Sequence, residues 1–357
     1  TFHFPSFISG ILIILSSCLV FYSFDGQKPA FLSAIDFRIM DLMFRVRGPL
    51  PDSGKVVIVD IDEKSLQELG QWPWPRNTLA GLTSQLIMNQ AAAIGFDIVF
   101  PEPDRSSPHY YFSHLDDLIR NKLPASLIPG IINDENLDYD QLFGSVLASG
   151  PTVLGYAFKT IDDGLGSKES VPFPSADIQI SPSGLTFKNL NLIPAYRAIL
   201  SHPDVSSAES EGFFNVFADD SGTTRRVPLF MQMNDIPYPS LALETFRLGK
   251  NASKIKIILS RKIKRSRPPI LGVQIDQNFI PTDDYSQLFI NYRGPANHFK
   301  TISAIDIINQ SKSSEVKNKF ILIGSSAKGL HDLRATPFSN AVPGVEINAT
   351  VIDNLIQ

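Results

Sequence analysis

The run from Lys55 to Arg105 constrains the fold more than any other part of this sequence. Val56–Ile61 is a continuous β-branched run, which is the pattern of a strand buried on both faces. Ala92–Phe100 is a second apolar strand pattern. The helix predicted between them begins at Pro75 and continues to about Asn89, because the first turn of a helix does not need the missing proline N–H. Strand, helix and strand in this order predict a βαβ unit with parallel strands.

The alternation continues along the chain and is interrupted once. The further predicted elements are a helix from Asn136 to Ala148, strands at Pro151–Lys159, Gln287–Tyr292 and Phe320–Gly324, a helix at Ile302–Asn309 with Ser303 as N-cap, and a closing helix at Gly344–Ile356. Short β-like pieces fill residues 161–284, among them a predicted hairpin from Gly212 to Met233 and a helix at Tyr238–Leu248. The predicted fold class is α/β, with a mainly parallel sheet and flanking helices. Its α/β core comprises residues 55–160 and 285–357, and residues 161–284 form a β-rich insertion.

The N-terminal segment from Phe7 to Phe24 contains no charged residue in 18 positions. That length reaches the lower end of what spans a hydrocarbon core of roughly 30 Å, so the segment is predicted to be a transmembrane helix. A cleaved signal peptide is the first alternative, but its apolar region is shorter and a small-residue cleavage site should follow. A buried soluble helix is the second. Residues 28–48 have helical apolar spacing and predict a juxtamembrane amphipathic helix, which leaves residues 55–357 as a periplasmic domain.

Composition and scattered residues exclude several function classes. The net charge of −4 provides no basic face for nucleic acid. The six histidines show no ligand spacing for zinc. A serine hydrolase would need a G-x-S-x-G elbow, which the sequence lacks.

Carboxylates follow the predicted strands at the point where each strand ends. Asp60 and Asp62 end the first strand, Asp97 lies near the end of the second, and Ser325 follows the last. The carboxyl ends of parallel strands meet at one edge, where α/β proteins bind ligands. The functional interpretation is a site for a polar ligand, or for a divalent cation held by Asp60, Asp62 and Asp97. The plainer interpretation, which we favour, is that these groups cap helices and brace loops.

Other side chains are predicted near the same edge. A carboxylate cluster without a metal needs compensating charge, and Arg76, Arg105 and Arg334 are the candidates. Asp332 and Thr336 lie in the loop after the last strand and complete the candidate ligand site. The Trp-Pro-Trp-Pro loop that contains Trp74 is interpreted as packing over the sheet edge, with an aromatic ligand cage as the alternative.

The sequence VVIVDID also permits an enzymatic hypothesis. In a D-x-D phosphohydrolase, Asp60 would be the nucleophile and Asp62 the acid–base. That motif calls for Thr or Val two residues after the second aspartate, where this chain has Lys64. We therefore predict no catalytic residues in this segment.

Six blocks of sequence, in order, resemble the CHASE type-two (CHASE2) sensor domain over about Phe37 to Leu355. The blocks are VVIVDIDEKSLQELGQWPWPR, IGFDIVFPEPDR, GFFNVFADDSGTTRRVP, LFINYRG, KFILIGSSAKGLHDLRATPF and PGVEINATVIDNL. The resemblance implies the extracytoplasmic input module of a bacterial membrane receptor. It supplies no established ligand, so the candidate site rests on the positions of the strand ends alone.

The resemblance also implies partners and a location. It implies an inner-membrane protein with the bulk of the chain in the periplasm. We also expect a homodimer formed through the membrane-proximal helices. A cytoplasmic output domain beyond Gln357 is implied, most often an adenylate or guanylate cyclase and otherwise a histidine kinase, a serine/threonine kinase or a diguanylate cyclase. The signal would be an unknown small ligand or a periplasmic protein.

Overall fold

The computed structural model describes residues 4–23, 30–113, 122, 137–162, 164, 171–172, 176–261, 268–327 and 332–357. The chain forms two compact units, the first ending at Pro49 and the second running from Leu50 to Gln357. Numbered in chain order, the described helices are α1 (Phe4–Ser23), α2 (Ala30–Arg47), α3 (Glu63–Leu69), α4 (Arg76–Met88), α5 (Pro108–Ser113), α6 (Tyr139–Ala148), α7 (Leu241–Gly249), α8 (Ala304–Ile308) and α9 (Gly344–Ile356). Two short 3₁₀ helices lie at Phe187–Asn189 and Ser313–Val316.

The strands are β1 (Val56–Ile61), β2 (Ala93–Phe96), β3 (Thr152–Lys159), β4 (Asp177–Ser181), β5 (Ile193–Pro194), β6 (Arg197–Ile199), β7 (Ser210–Phe213), β8 (Arg226–Pro228), β9 (Phe230–Met233), β10 (Ile236–Pro239), β11 (Lys254–Leu259), β12 (Ile270–Ile275), β13 (Asn278–Pro281), β14 (Gln287–Phe289), β15 (Lys300–Ser303), β16 (Phe320–Ser325), β17 (Leu333–Arg334) and β18 (Val342–Pro343).

The first unit consists of α1 and α2. No helix within the described residues is both long and apolar enough to qualify as a membrane span. The predicted transmembrane helix at residues 7–24 is therefore not confirmed, and Phe24 itself lies outside the described residues. Helix α2 corresponds to the predicted amphipathic helix at residues 28–48.

The second unit is built on a mainly parallel sheet, as the sequence predicts. Strands β15, β1, β16, β2, β3 and β7 lie side by side in that order and are all parallel, while β6 adds an antiparallel pairing to the far end of β3. Apolar side chains from alternate positions of these strands form one core with α4 and α6. This confirms the α/β class.

Helices α7 and α9 pack against the sheet through two glycines. A Cβ on Gly95 of β2 would lie 2.5 Å from Thr245 Oγ1 of α7, and one on Gly324 of β16 would lie 2.6 Å from Val345 Cβ of α9. The missing side chains therefore let both helices approach the strands closely, which brings the N-terminus of α9 to the carboxyl end of β16.

Several predicted elements differ from the observed ones. The predicted hairpin from Gly212 to Met233 is wrong, since β7 pairs with β3, β8 with β14 and β9 with β10. Both β7 and α7 lie in the stretch assigned to the insertion, yet they belong to the central layers. The predicted helix at 302–309 is shorter, because residues 300–303 form the edge strand β15 and only Ala304–Ile308 is helical. Ser303 occupies the N-cap position without a capping hydrogen bond from its side chain.

Candidate functional site

A cavity of about 250 Å³ opens at the carboxyl edge of the sheet, beside the ends of β2 and β16. Its lining residues are Trp72, Asp97, Ile98, Val99, Phe214, Ser325, Asp332, Gly344 and Val345. Three of the sequence-predicted residues, Asp97, Ser325 and Asp332, therefore meet at one place. The edge of the sheet is where such a site is expected in an α/β protein.

Asp97 is the carboxylate whose environment is most unusual. It follows β2 directly, and its backbone N–H donates to Ile323 O of β16 at 2.8 Å, which fixes it against the neighbouring strand. The pKa of Asp97 is raised to about 7, chiefly by burial and to a smaller extent by the nearby charge of Asp332. The side-chain amide of Asn348 and the charge of Arg334 act in the opposite direction. The side chain keeps a partly exposed surface toward the cavity, so a bound molecule could reach it.

Asn348 is a functional candidate that sequence reasoning missed. It lies one turn after Gly344 on α9 and hence on the same helix face. Asn348 is 5% exposed, and its Nδ2 makes no well-formed hydrogen bond, although it lies close enough to Asp97 to act as a donor that lowers the pKa of that carboxyl. Buried amide donors without a partner are rare in folded proteins. The only sequence signal was the helical spacing from Gly344, which becomes informative once α9 is known to meet the sheet edge.

Asp332 and Arg334 form an ion pair at the rim. Arg334 donates to Asp332 Oδ2 from Nε at 3.1 Å and from Nη2 at 2.7 Å. The carbonyl of Asp332 accepts the N–H of Gly344 at 2.9 Å, which holds the loop at the start of α9. Asp332 is therefore already neutralised by contact, whereas Asp97 has no ion pair among the described residues.

Ser325 and Thr336 are occupied with the backbone. Ser325 Oγ donates to Ile61 O at 3.0 Å and accepts from the N–H of Ala327 at 3.2 Å. Thr336 closes a turn with Ser339, whose N–H donates to Thr336 Oγ1 at 3.1 Å. Ser325 therefore shapes the wall of the cavity, whereas Thr336 is not part of its lining.

Asp60 and Asp62 brace the sheet edge, in keeping with the plainer interpretation. Asp60 is buried and accepts hydrogen bonds from the N–H and the hydroxyl of Ser326. Asp62 is the N-cap of α3, accepting from the N–H of Ser65 at 2.9 Å, and it also accepts from Ser303 Oγ at 2.8 Å. These bonds tie β1 to β16 and β15. They leave the two carboxylates as parts of separate braces rather than as an open nucleophile and acid–base pair.

The described residues contain no group of three or more His, Cys, Asp or Glu side chains arranged to hold a metal ion. Asp60, Asp62 and Asp97 are not part of such a group, and cation binding at the strand ends stays a prediction.

Trp74, Arg76 and Arg105 lie at a different place, around a second cavity of about 440 Å³. Trp74 is 1% exposed and donates from Nε1 to Gly70 O at 2.9 Å, so it belongs to the core. Trp72, the other indole of the loop, faces the sheet-edge cavity and packs edge-on against Trp74 with 5.7 Å between ring centroids.

Arg76 holds this second region together from a buried position. Its N–H donates to Asp104 Oδ2 at 2.7 Å, its Nε lies 3.4 Å from Asp140 Oδ1, and its guanidinium lies 4.6 Å from the ring centroid of Phe100. Burial lowers the pKa of Arg76, and the nearby carboxylates oppose that shift. Arg105 pairs with Glu102 at 3.2 Å on the exposed surface. Neither arginine compensates the strand-end carboxylates, contrary to expectation.

A buried clamp joins the two ends of the second unit, and sequence reasoning missed it too. Asp353 of α9 is fully buried and accepts from Arg293 Nε at 2.6 Å and from the N–H of Ser53 at 2.7 Å. The carbonyl of Arg293 accepts from the N–H of Leu50 at 2.7 Å, and Arg293 Nη2 donates to Gln357 Oε1 at 2.5 Å. One ion pair thus holds both the entry segment at residues 50–53 and the last turns of α9.

Comparison with known proteins identifies one family. The family model described as the CHASE2 domain matches residues 12–357. CHASE2 domains are extracellular sensor domains of signalling receptors, a class without catalytic function of its own. No characterised protein and no solved structure matches the chain significantly.

Proposed function

Because the chain belongs to the CHASE2 domain family of extracellular sensor domains, we propose that it is the input domain of a bacterial membrane receptor. In this proposal residues 7–24 anchor it in the inner membrane and residues 55–357 lie in the periplasm. An output domain beyond Gln357, most often an adenylate cyclase in such receptors, receives the signal. A histidine or serine/threonine kinase is the alternative output.

Beside the family match, the structural observation that supports the proposal is the shared clamp of Arg293 and Asp353. A receptor module must couple its sensing site to the segments that connect it to the membrane. Here α9 has its N-terminus at the sheet-edge cavity and its Asp353 in the clamp, about 14 Å further along at ~1.5 Å per residue. The same clamp holds Ser53 in the entry segment.

Helix α9 is suited to relay a displacement because it is buried along its length. Ten of its side chains are buried, from Val345 to Leu355. The segment before β15 is attached to the helix by hydrogen bonds. The backbone N–H of Asn291 donates to Asn354 Oδ1 at 2.8 Å, and the N–H of His298 donates to Glu346 Oε1 at 2.7 Å. A rigid, well-packed helix moves as a whole rather than deforming. A ligand at its N-terminus shifts the balance between two positions only by binding one of them more tightly.

The proposed homodimer has a matching surface on α2. Apolar residues recur there at alternating intervals of three and four, and all are between 38% and 79% exposed in the single chain: Leu32, Ile35, Ile39, Leu42 and Val46. This is the a/d spacing of a two-stranded coiled coil. A second copy of α2 would bury the stripe and bring the two membrane-proximal segments together.

Membrane topology provides the direct test of the proposed location. Asp276 lies in an exposed turn of the second unit. A single cysteine introduced there, in a Cys18→Ser background, should react with a membrane-impermeant maleimide in cells whose outer membrane is permeabilised. A cytoplasmic protein probed in parallel should remain unlabelled. Labelling of the introduced cysteine only after the inner membrane is lysed would refute the periplasmic assignment.

A further inference from the structure

The lining of the sheet-edge cavity is specific in its chemistry. Both charged side chains that line it are acids, and they face an apolar wall that includes two aromatic rings, those of Trp72 and Phe214. No basic side chain lines it among the described residues. Aromatic faces attract organic cations through their negative ring potential.

We propose that this cavity binds a small protonated amine that carries an oxygen acceptor, with Asp97 as its counter-ion and Trp72 and Phe214 around its apolar part. The inference rests on the proposed sensor function and specifies the ligand class of that same site. The volume of about 250 Å³ corresponds to roughly eight water molecules at ~30 Å³ each, so the ligand is of the size of an amino alcohol rather than of a nucleotide.

Asp97 is the group that selects for positive charge. Asp332 already contacts Arg334 at 2.7 Å, and Arg334 reaches Asp97 only as a more distant charge. The Asp97 carboxylate is therefore desolvated without an ion pair of its own among the described residues. A bound ammonium group supplies that missing charge, whereas a bound carboxylate would add a third negative group beside two acids.

Asn348 independently indicates a ligand with an acceptor. Its Nδ2 is buried, makes no well-formed hydrogen bond even to the nearby Asp97, and lies on the face of α9 that carries Gly344 in the cavity wall. A buried donor without a well-formed hydrogen bond is destabilising. A hydroxyl or ether oxygen on the ligand, placed between Asn348 and Asp97, would accept this hydrogen bond.

Binding should depend on pH in a defined direction. The groups that face Asp97 are Asp332, Arg334 and Asn348, and with them the pKa of Asp97 is about 7. A cation binds the ionised form, which is about nine-tenths populated at pH 8 and about one-tenth at pH 6. The affinity for an amine should therefore fall about tenfold between pH 8 and pH 6.

Isothermal titration of the whole chain in lipid nanodiscs tests the inference with three matched probes. The probes are leucinol as the amine, 4-methylpentane-1,2-diol as its neutral analogue and 2-hydroxy-4-methylpentanoate as the anion. Leucinol should bind at pH 8 at least tenfold more tightly than the other two, and about tenfold more weakly at pH 6. Asp97→Asn should lower the affinity for leucinol at least tenfold. Asp276→Asn, which removes an exposed carboxylate in a distant turn, should leave that affinity unchanged. Asn348→Leu should weaken the binding of leucinol. It should leave the binding of isopentylamine, which lacks the hydroxyl, unchanged.

The outcomes separate this inference from the sensor function. Equal or tighter binding of the diol or the hydroxy acid would overturn the amine as ligand class while leaving the cavity as an input site. Leucinol binding that Asp97→Asn does not change, or no binding of leucinol at millimolar concentration, would overturn the inference as well. The pH comparison uses the unmodified chain, so a variant that fails to fold does not remove the test. The topology experiment judges the sensor proposal on its own.

Discussion

Replacing Asp353 with Asn should destabilise the domain strongly, because it leaves a buried cation without its partner. The side chains of Asp353 and Arg293 are 0% and 6% exposed, and 2.6 Å separates Arg293 Nε from Asp353 Oδ2. Removing one partner of a buried ion pair costs about 3–5 kcal/mol, since the remaining charge stays desolvated. The amide Oδ1 of the variant can still accept from the N–H of Ser53, but its Nδ2 replaces Oδ2 and cannot accept from Arg293 Nε, so the variant loses both the charge and that hydrogen bond. We expect the free energy of unfolding to fall by about 3–5 kcal/mol.

Urea unfolding followed by circular dichroism measures this change, and the chain offers a matched control. Asp177 and Lys254 form an ion pair at 3.8 Å with side chains 52% and 56% exposed. Exposed pairs contribute about 0–1 kcal/mol, so Asp177→Asn should have little effect. The double replacement of Arg293 by Met and Asp353 by Leu should recover part of the loss, because it removes both charges. A loss for Asp353→Asn no larger than that for Asp177→Asn would refute the clamp as an energetic link between the entry segment and α9.

Since the pKa of Asp97 rises from 3.8 to about 7 on folding, the folded state favours the protonated carboxyl. The free energy of unfolding should then decrease by up to about 4 kcal/mol as pH rises from 4 to 8 relative to Asp97→Asn, measured by urea unfolding at each pH; an identical pH dependence in the two proteins would contradict the assignment. Ile39→Glu should abolish dimers of the detergent-solubilised chain in sedimentation experiments, whereas Ala34→Glu, outside the apolar stripe of α2, should not; dimers that survive Ile39→Glu would exclude that stripe as the interface. Gly95→Ala should destabilise the domain by about 1–3 kcal/mol because its Cβ would lie 2.5 Å from Thr245 Oγ1, while Gly81→Ala in α4, with no atom within 4 Å of its Cβ, should stabilise it by about 0.5–1 kcal/mol; equal effects would mean that α7 does not lie so close to β2.

The parallel sheet was predictable because its buried strands are continuous apolar runs in the sequence. Val56–Ile61 and Phe320–Ser325 are such runs, and both lie in the centre of the sheet. Edge strands carry no such signal. Lys300–Ser303 pairs on one side only and begins with two exposed residues, so its sequence resembled the start of the helix that follows it.

Strand pairing over long distances was not predictable from local pattern. Ser210–Phe213 is followed by a turn and another β-like run, which is the local pattern of a hairpin. The structure places it instead beside β3, about fifty residues earlier in the chain. Its partner was decided by packing against α7, where a Cβ on Gly212 would lie 2.6 Å from Leu241 Cα.

The candidate site was predictable in position but not in composition. Strand polarity predicted that Asp97 and Ser325 would meet at one edge, and they line one cavity. Strand polarity could not distinguish Asp97, which faces the cavity, from Asp60 and Asp62. The partners of those two, Ser326 and Ser303, lie far away in the sequence. Asn348 and the Arg293–Asp353 clamp depend on the position of α9, which no local pattern specifies.

Disulfide crosslinking between two copies of the chain tests the proposed relay, in which occupation of the cavity at one end of α9 changes the spacing of the α2 helices in the proposed homodimer. Single cysteines at Ile35, Leu42 and Val46 of α2, in a Cys18→Ser background, report the contacts between copies in membranes. The cavity can be filled permanently by Val99→Trp, since Val99 lies in its wall, and Val46 is 79% exposed and accessible to a partner. We expect filling the cavity to change the relative crosslinking yields of the three positions, while Asp276→Asn leaves them unchanged. Identical yields at all three positions with the cavity open and filled would contradict it.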